Sequence, residues 1–438
     1  MRGGNGAKGG DARDTNFPMT PSRLKFWRIL GPGLITGASD DDPSGIATYA
    51  QVGAQFGYAL GWTMLFSYPL MAAIQEISAR IGRVTGLGIA GNIRRHYSVL
   101  LLRAIVALLV VANVINLGAD LGAMADALRL LVGGLGGIYV VAFAVLCAAL
   151  EIFLSYRRYV SILKWSTLAL LSYVATVAVV HVSWRDAALG TLLPHIAGGT
   201  DTIVAIVAVL GTTISPYLFF WQASEEAEDE RVDPAESSLI DTPDHARTQI
   251  ARIEVDTYVG MAYSNLIGLC IMVTTAATLN HAGMTDIATS AQAAEALRPL
   301  AGPFAFALFA AGIIGTGLLA VPVLAGSAAY AVGEALEWPV GLDRRPREAK
   351  AFYATIAFAT LLGILINFVS LDPIKVLFWT AVINGVVAVP LMVVMMVMTM
   401  DARVMGPFTL PRPLWAVGWL ATLVMAATVA AMFWTLLF

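Results

Sequence analysis

Charge is what this 438-residue sequence lacks most: Asp, Glu, Lys and Arg make up 13% of it, against about 25% in an ordinary soluble domain. With 58% hydrophobic residues and a mean hydropathy of +0.73, that scarcity excludes a soluble globular protein, a disordered chain and a coiled coil. The formal net charge of −3 gives no basic footprint, so no nucleic-acid partner is expected. There are two cysteines, Cys147 and Cys270, both in apolar runs, which implies neither a disulfide framework nor a cysteine metal site. His181, His195 and His281 are scattered and make no metal cluster. No paired nucleophile and base appears, so neither an enzyme nor a cofactor is expected. Residues 1–25, beginning MRGGNGAKGGDARDTNFP, have no apolar core and read as a disordered tail, not a signal peptide.

What is present is a series of long apolar runs. A span needs about 20 apolar residues. Eleven are predicted, at 27–56, 58–82, 104–131, 136–155, 159–183, 202–224, 256–280, 302–333, 351–370, 374–400 and 413–437. They fill 26–438 as one transmembrane domain, with the lipid bilayer as its surroundings. With the N-terminus in the cytoplasm, all 27 lysines and arginines except Arg129, Arg185, Arg298 and Lys375 fall on the cytoplasmic side. This agrees with the positive-inside rule and puts the C-terminus outside.

Two spans break the rules of an apolar helix. The first carries Ser39-Asp40-Asp41-Asp42-Pro43-Ser44-Gly45 and the sixth Thr212-Thr213-Ile214-Ser215-Pro216-Tyr217. Carboxylates at membrane depth mark ion or proton pathways, and irregular backbone survives there only where it lines a cavity or is buried in protein. Proline lacks an N–H, so Pro43 frees the Ser39 carbonyl and Pro216 the Thr212 carbonyl. Each lies at the negative end of a half-helix and suits a cation. Interrupted helices in corresponding positions of two halves point to a secondary-transporter site. The expected fold is therefore an all-α membrane protein of 11 transmembrane helices. It is a LeuT-type 5+5 inverted repeat, 26–183 and 202–400, with an extra span at 413–437.

At these residues the sequence resembles the NRAMP family of divalent metal transporters. Gly31-Pro32-Gly33 followed by Asp42-Pro43-Ser44-Gly45 is similar to the family's first-span opening, which ends Asp-Pro-Gly-Asn. The run from Gln75 to Gly86, QEISARIGRVTG, resembles the end of its second span, and Thr212 to Gln222 its broken sixth span. The resemblance implies Asp42 as the main metal ligand, with the Thr212 carbonyl beside it. The family's Asn falls on Gly45, its Met on Ser215, and its two His on Tyr217 and Gln222. A thioether favours transition metals over hard cations, so its loss leaves oxygen ligands that suit Mg²⁺. This resembles the NRAMP-related magnesium transporter branch, although aluminium-transporting relatives also lack the Met. The family's third-span Asp-x-x-Glu becomes Asp120-Leu121-Gly122-Ala123, so the proton relay is incomplete and uncoupled transport is expected. Asp120, Gln222 and Tyr217 remain candidates for proton handling or outer contacts, as does Asn384, where the family places an amide.

Adjacent helical residues point about 100° apart, so the three aspartates cannot all face one ion. Asp41 is expected to reach the ion's hydration shell, and Asp40 to line a vestibule or pair with a base. Packing is the competing role for Asp120, through Asn116 or a serine, and interhelical bonding for Asn265 and Asn384. Glu76 and Arg80 are spaced for a helical ion pair. Glu151 reads as a helix end, and Met392 to Met400 as packing or lipid-facing. The acid-rich 225–255 connection reads as a solvated loop, or alternatively as an attractor for cations at the cytoplasmic mouth.

The leading expectation is a Mg²⁺ carrier, with Mn²⁺ as a further substrate, in the cytoplasmic membrane. The alternatives are a proton-coupled Mn²⁺ or Fe²⁺ symporter on the same fold, and an amino-acid or organic-solute symporter. An aspartate cluster would repel the carboxylate of an amino acid.

Overall fold

Glycine and proline decide where the apolar runs end as helices and how closely those helices pack. The computed structural model describes residues 32–153, 170–195, 198–232, 237–368 and 372–438. They form helices and connections, with no strand among them. In chain order these include α1 (Pro32–Asp40), α2 (Pro43–Phe56), α3 (Trp62–Thr85), α4 (Ile89–His96), α5 (Val99–Val132), α6 (Gly136–Phe153), α7 (Leu171–Val179) and α8 (Trp184–Leu192). The second half has α9 (Thr200–Thr213), α10 (Pro216–Val232), α11 (Ala246–Thr275), α12 (Ala305–Ala335), α13 (Lys350–Ile366), α14 (Pro373–Met398) and α15 (Arg412–Leu437).

The first and sixth expected spans are each two helices, α1 with α2 and α9 with α10, and each second half opens on a proline. Seven helical stretches among the described residues are long and apolar enough to cross a bilayer. α3 has the length too, although Glu76, Arg80 and Arg83 lower its apolar character. The expected fifth span lies largely outside the described residues, which show only α7 of it. α3 stops at Gly86, whose φ of 66° needs a residue without a side chain and whose N–H closes on the Gly82 carbonyl.

The broken first span lies along α11. The Gly33 N–H donates to Asp256 Oδ2 at 2.7 Å. A methyl group at Gly37 would overlap the Gly260 backbone. This contact in steps of about four residues puts Asp40 and Asp41 opposite Ser264. α9 meets α14 in the same way, with Gly211 against the Ala381 carbonyl and Gly385. Gly37→Leu should therefore force α1 off α11. Overpacking costs about 1–3 kcal/mol where a core can adjust, and backbone cannot, so the variant should melt well below the parent in detergent.

The acid-rich stretch is a solvated loop only in part: Asp241 and Asp244 lie exposed in a connection, while the other described residues are largely helical. Its first part continues α10 to Val232, and Glu225, Glu226, Glu228 and Glu230 are buried. Glu226 pairs with Arg252, and Glu230 lies 3.5 Å from Arg83. The Tyr330 hydroxyl contacts Glu228 and lies 3.1 Å from Glu225. Glu226 and Glu230 are thus taken up by other helices, while Glu228 also has Arg231 of its own helix 4.0 Å away.

Other polar groups are mostly helix-to-helix bonds. Asn265 Nδ2 reaches Ser67 Oγ at 3.3 Å. Arg80 bridges Glu76 at 2.6 Å and Glu254 at 2.7 Å. Met392, Met395, Met396 and Met398 are buried, and Met400 is half-exposed, so this run packs inward. Glu151 is buried within α6, with Oε1 unpartnered among the described residues.

Candidate metal site between the two helix breaks

Asp42 is the N-cap of α2. Its Oδ1 accepts from the Gly45 N–H at 2.6 Å and the Ser44 hydroxyl at 2.8 Å. Such a cap satisfies orphan donors of the first turn, and the half-helix N-terminus favours its negative charge. Oδ2 accepts from Asn116 Nδ2 of α5 at 3.1 Å and lies 3.4 Å from the Tyr217 hydroxyl of α10. Asp42 is thus buried where α2, α5 and α10 meet.

The second break is in direct contact with the first. A methyl at Gly45 would sit 3.0 Å from Thr212 Oγ1 and 3.3 Å from the Asp40 carbonyl. Glycine at the position of the family's Asn therefore lets the two breaks close on one another. Ser215 also lies here and is buried.

The two freed carbonyls are not left bare, as the sequence suggested. The Ser39 carbonyl accepts from the Tyr217 hydroxyl at 3.0 Å, and the Thr212 carbonyl from the Ser215 hydroxyl at 2.7 Å. A carbonyl has two lone pairs, so each keeps one for a further partner. Tyr217→Phe would remove the Ser39 contact. It should cost about 1 kcal/mol of stability, read as a lower melting temperature in detergent, with ion affinity changed by less than about tenfold.

Asp40 neither lines a vestibule nor pairs with a base among the described residues. It is buried, and Asp40 Oδ2 accepts from Ser264 Oγ at 2.6 Å. Asp41 Oδ1 is 3.1 Å from the same hydroxyl, so Asp41 faces α11 and not the donors that hold Asp42. α1 ends at Asp40, and the helical 100° rule does not apply across the two residues that follow. Asp120 is also buried. It faces the Asp42 carboxylate and the Ser44 backbone N–H without a well-formed hydrogen bond. The packing partner expected for it, Asn116, turns to Asp42 instead.

Gln222 is engaged in a different network, with α3 and α11. Its oxygen accepts from Gln75 at 2.5 Å, and its Nε2 donates to Thr257 Oγ1 at 3.0 Å. Asn384 is buried on α14, next in sequence to Gly385, which packs against Gly211. Sequence reasoning missed Ser264 entirely and gave Asn116 the wrong partner. Ser264 and Asn265 form a polar pair within an apolar run, a signal that was there to read. Among the described residues, no group of three or more His, Cys, Asp or Glu is placed to hold a metal by itself. Any ion must take backbone, hydroxyl or amide oxygens as well.

Comparison with known proteins gives the family and the fold. Residues 33–435 match the family described as natural resistance-associated macrophage protein-like. A Klebsiella pneumoniae protein named divalent metal cation transporter MntH is 26% identical over 424 residues, covering 93% of this chain and 94% of its own. A Yersinia enterocolitica protein of the same name is 29% identical over 311 residues, covering 69% and 71%. A crystal structure of the Eremococcus coleocola manganese transporter superposes with a TM-score of 0.74 at 19% identity, covering 94% of this chain and 87% of its own, and shares its fold. The chain is an all-helical, multi-span membrane protein, a transporter and not an enzyme, and it belongs to the natural resistance-associated macrophage protein-like, or NRAMP, family.

Proposed function

We propose that the chain carries divalent cations across the membrane by alternating access at the contact of its two broken helices. The observation that carries this reading is Asp42, a buried carboxylate at a half-helix N-terminus, set against the Thr212–Ser215 break. Asp42 supplies charge, the Thr212 carbonyl a second oxygen, and Ser215 a hydroxyl or a water-mediated contact. Asn116 Oδ1, buried and with no hydrogen-bond partner among the described residues, is a further oxygen for the ion.

The relatives' names support a divalent metal cation as substrate, and manganese is named for the Eremococcus coleocola transporter that shares the fold. Two features of this chain also favour a proton-coupled Mn²⁺ or Fe²⁺ carrier. Asp120 faces Asp42 and the Ser44 backbone N–H with no well-formed hydrogen bond among the described residues. One turn on, Met124 puts its sulfur against Gly317, which also neighbours Pro43. The donor set at the breaks themselves is all oxygen, however, and that removes the means of rejecting Mg²⁺. The reading is therefore a carrier that accepts Mn²⁺ and does not exclude Mg²⁺, as in the magnesium-transporting branch, with weak coupling to protons. The eleven spans, the 26–183 and 202–400 repeats and a cytoplasmic N-terminus belong to the same proposal, supported by the paired breaks and the distribution of Lys and Arg.

The test is flux into liposomes holding a luminal pH dye, with Mn²⁺ and Mg²⁺ supplied separately. Entry of both ions with less than one proton per ion supports the reading. Mn²⁺ entry with stoichiometric acidification and no Mg²⁺ flux replaces it with the ordinary proton-coupled carrier.

A further inference from the structure

We propose that Asp40, Asp41 and Ser264 form a second oxygen site for a hard divalent cation, on the α11 side of the first helix break and separate from the Asp42 site. It rests on the divalent-cation reading above. The backbone contacts of Gly33 and Gly37 with α11 fix the register that brings both carboxylates to Ser264. The hydroxyl lies 2.6 Å from Asp40 and 3.1 Å from Asp41. It has one proton and can donate to one carboxylate at a time. The other oxygens, Asp40 Oδ1 and Asp41 Oδ2, are buried with no partner among the described residues.

A separate residue is aimed at the same place. Tyr49 of α2 is fully buried; its hydroxyl has no well-formed hydrogen bond among the described residues and faces Thr212 of the second break as well as Asp40 and Asp41. The ring carbon that bears this hydroxyl lies 3.0 Å from where a methyl at Gly268 would be. Gly268 is one turn beyond Ser264 on the same face of α11. Two carboxylate oxygens, a phenol and a hydroxyl are thus gathered with no positive group paired to them among the described residues. Buried charge without compensation is costly, and a cation held by these oxygens supplies it. The donors are hard, and two carboxylates ionised around a cation would bring −2, which suits a hard divalent ion that keeps some of its water. Asp42, held by Gly45, Ser44 and Asn116 on its other side, is left to its own ion. Two ions this close repel, which eases release of either.

The experiment is equilibrium binding of Mn²⁺ to the purified full-length protein in detergent, followed by electron paramagnetic resonance. The expected result is two ions per chain. Asp42→Asn should leave one, and the double variant Asp40→Asn with Asp41→Asn should leave the other. Ser264→Ala, a milder change in case the double variant does not fold, should weaken one of the two binding events by about tenfold or more. One ion per wild-type chain, lost with Asp42→Asn and unaffected by the Asp40, Asp41 or Ser264 changes, overturns the second site alone. No bound ion in the wild type overturns the divalent-cation reading and this site together.

Discussion

Asp42→Ala should abolish ion binding and transport. Removing one member of a buried charge pair costs about 3–5 kcal/mol, and each 1.4 kcal/mol is tenfold in affinity. Titration calorimetry should therefore show divalent-ion affinity falling by a few hundredfold or more. The same change also removes the cap of α2, which accepts from Gly45 and Ser44. Loss of a cap costs about 1 kcal/mol, so a melting shift alone would not prove the point. Asp42→Asn separates the two effects. It keeps an oxygen for the cap and drops the charge. Binding should be lost while the melting temperature stays near the parent value. Retained affinity in Asp42→Asn would mean that the charge serves packing alone.

Ser215→Met should change selectivity more than any other single substitution. It returns a thioether to the second break, where this chain has only oxygen. Soft sulfur favours transition metals and does nothing for Mg²⁺. Inhibition of Mn²⁺ uptake by Mg²⁺ should weaken by about tenfold or more, roughly 1.4 kcal/mol of added discrimination. The serine hydroxyl now donates to the Thr212 carbonyl at 2.7 Å, with the Gly211 carbonyl 3.1 Å away as the alternative acceptor, so the variant also releases the Thr212 oxygen. A Mg²⁺ inhibition constant unchanged beside a tighter Mn²⁺ interaction fits the account. Equal weakening of both ions would show that the larger side chain had only filled space.

Sequence alone revealed the two breaks and Asp42, because proline, glycine and carboxylate in an apolar run violate local rules that need no partner to be recognised. It did not reveal what the freed carbonyls do. Tyr217 takes the Ser39 carbonyl from 178 residues away, and no periodicity encodes that pairing. The direction of Asp40 and Asp41 was lost for a related reason. It is set by Gly37 meeting Gly260, a close approach of two backbones that either glycine by itself leaves open. The first part of the acidic stretch misled in the other direction. Nine acids in a short segment look solvated, yet Arg83, Arg252 and Tyr330, from other helices, take up Glu230, Glu226 and Glu228. The ion pair of Glu76 and Arg80 was readable because it is helical and local.

The central claim is that the transported cation sits where α2 and α9 break against each other. Anomalous diffraction from crystals grown with Mn²⁺ tests it most directly. The account predicts a peak beside the Asp42 carboxylate, within coordination or one-water reach of the Thr212 carbonyl. A well-occupied peak away from Asp42, with the two breaks empty, would contradict it.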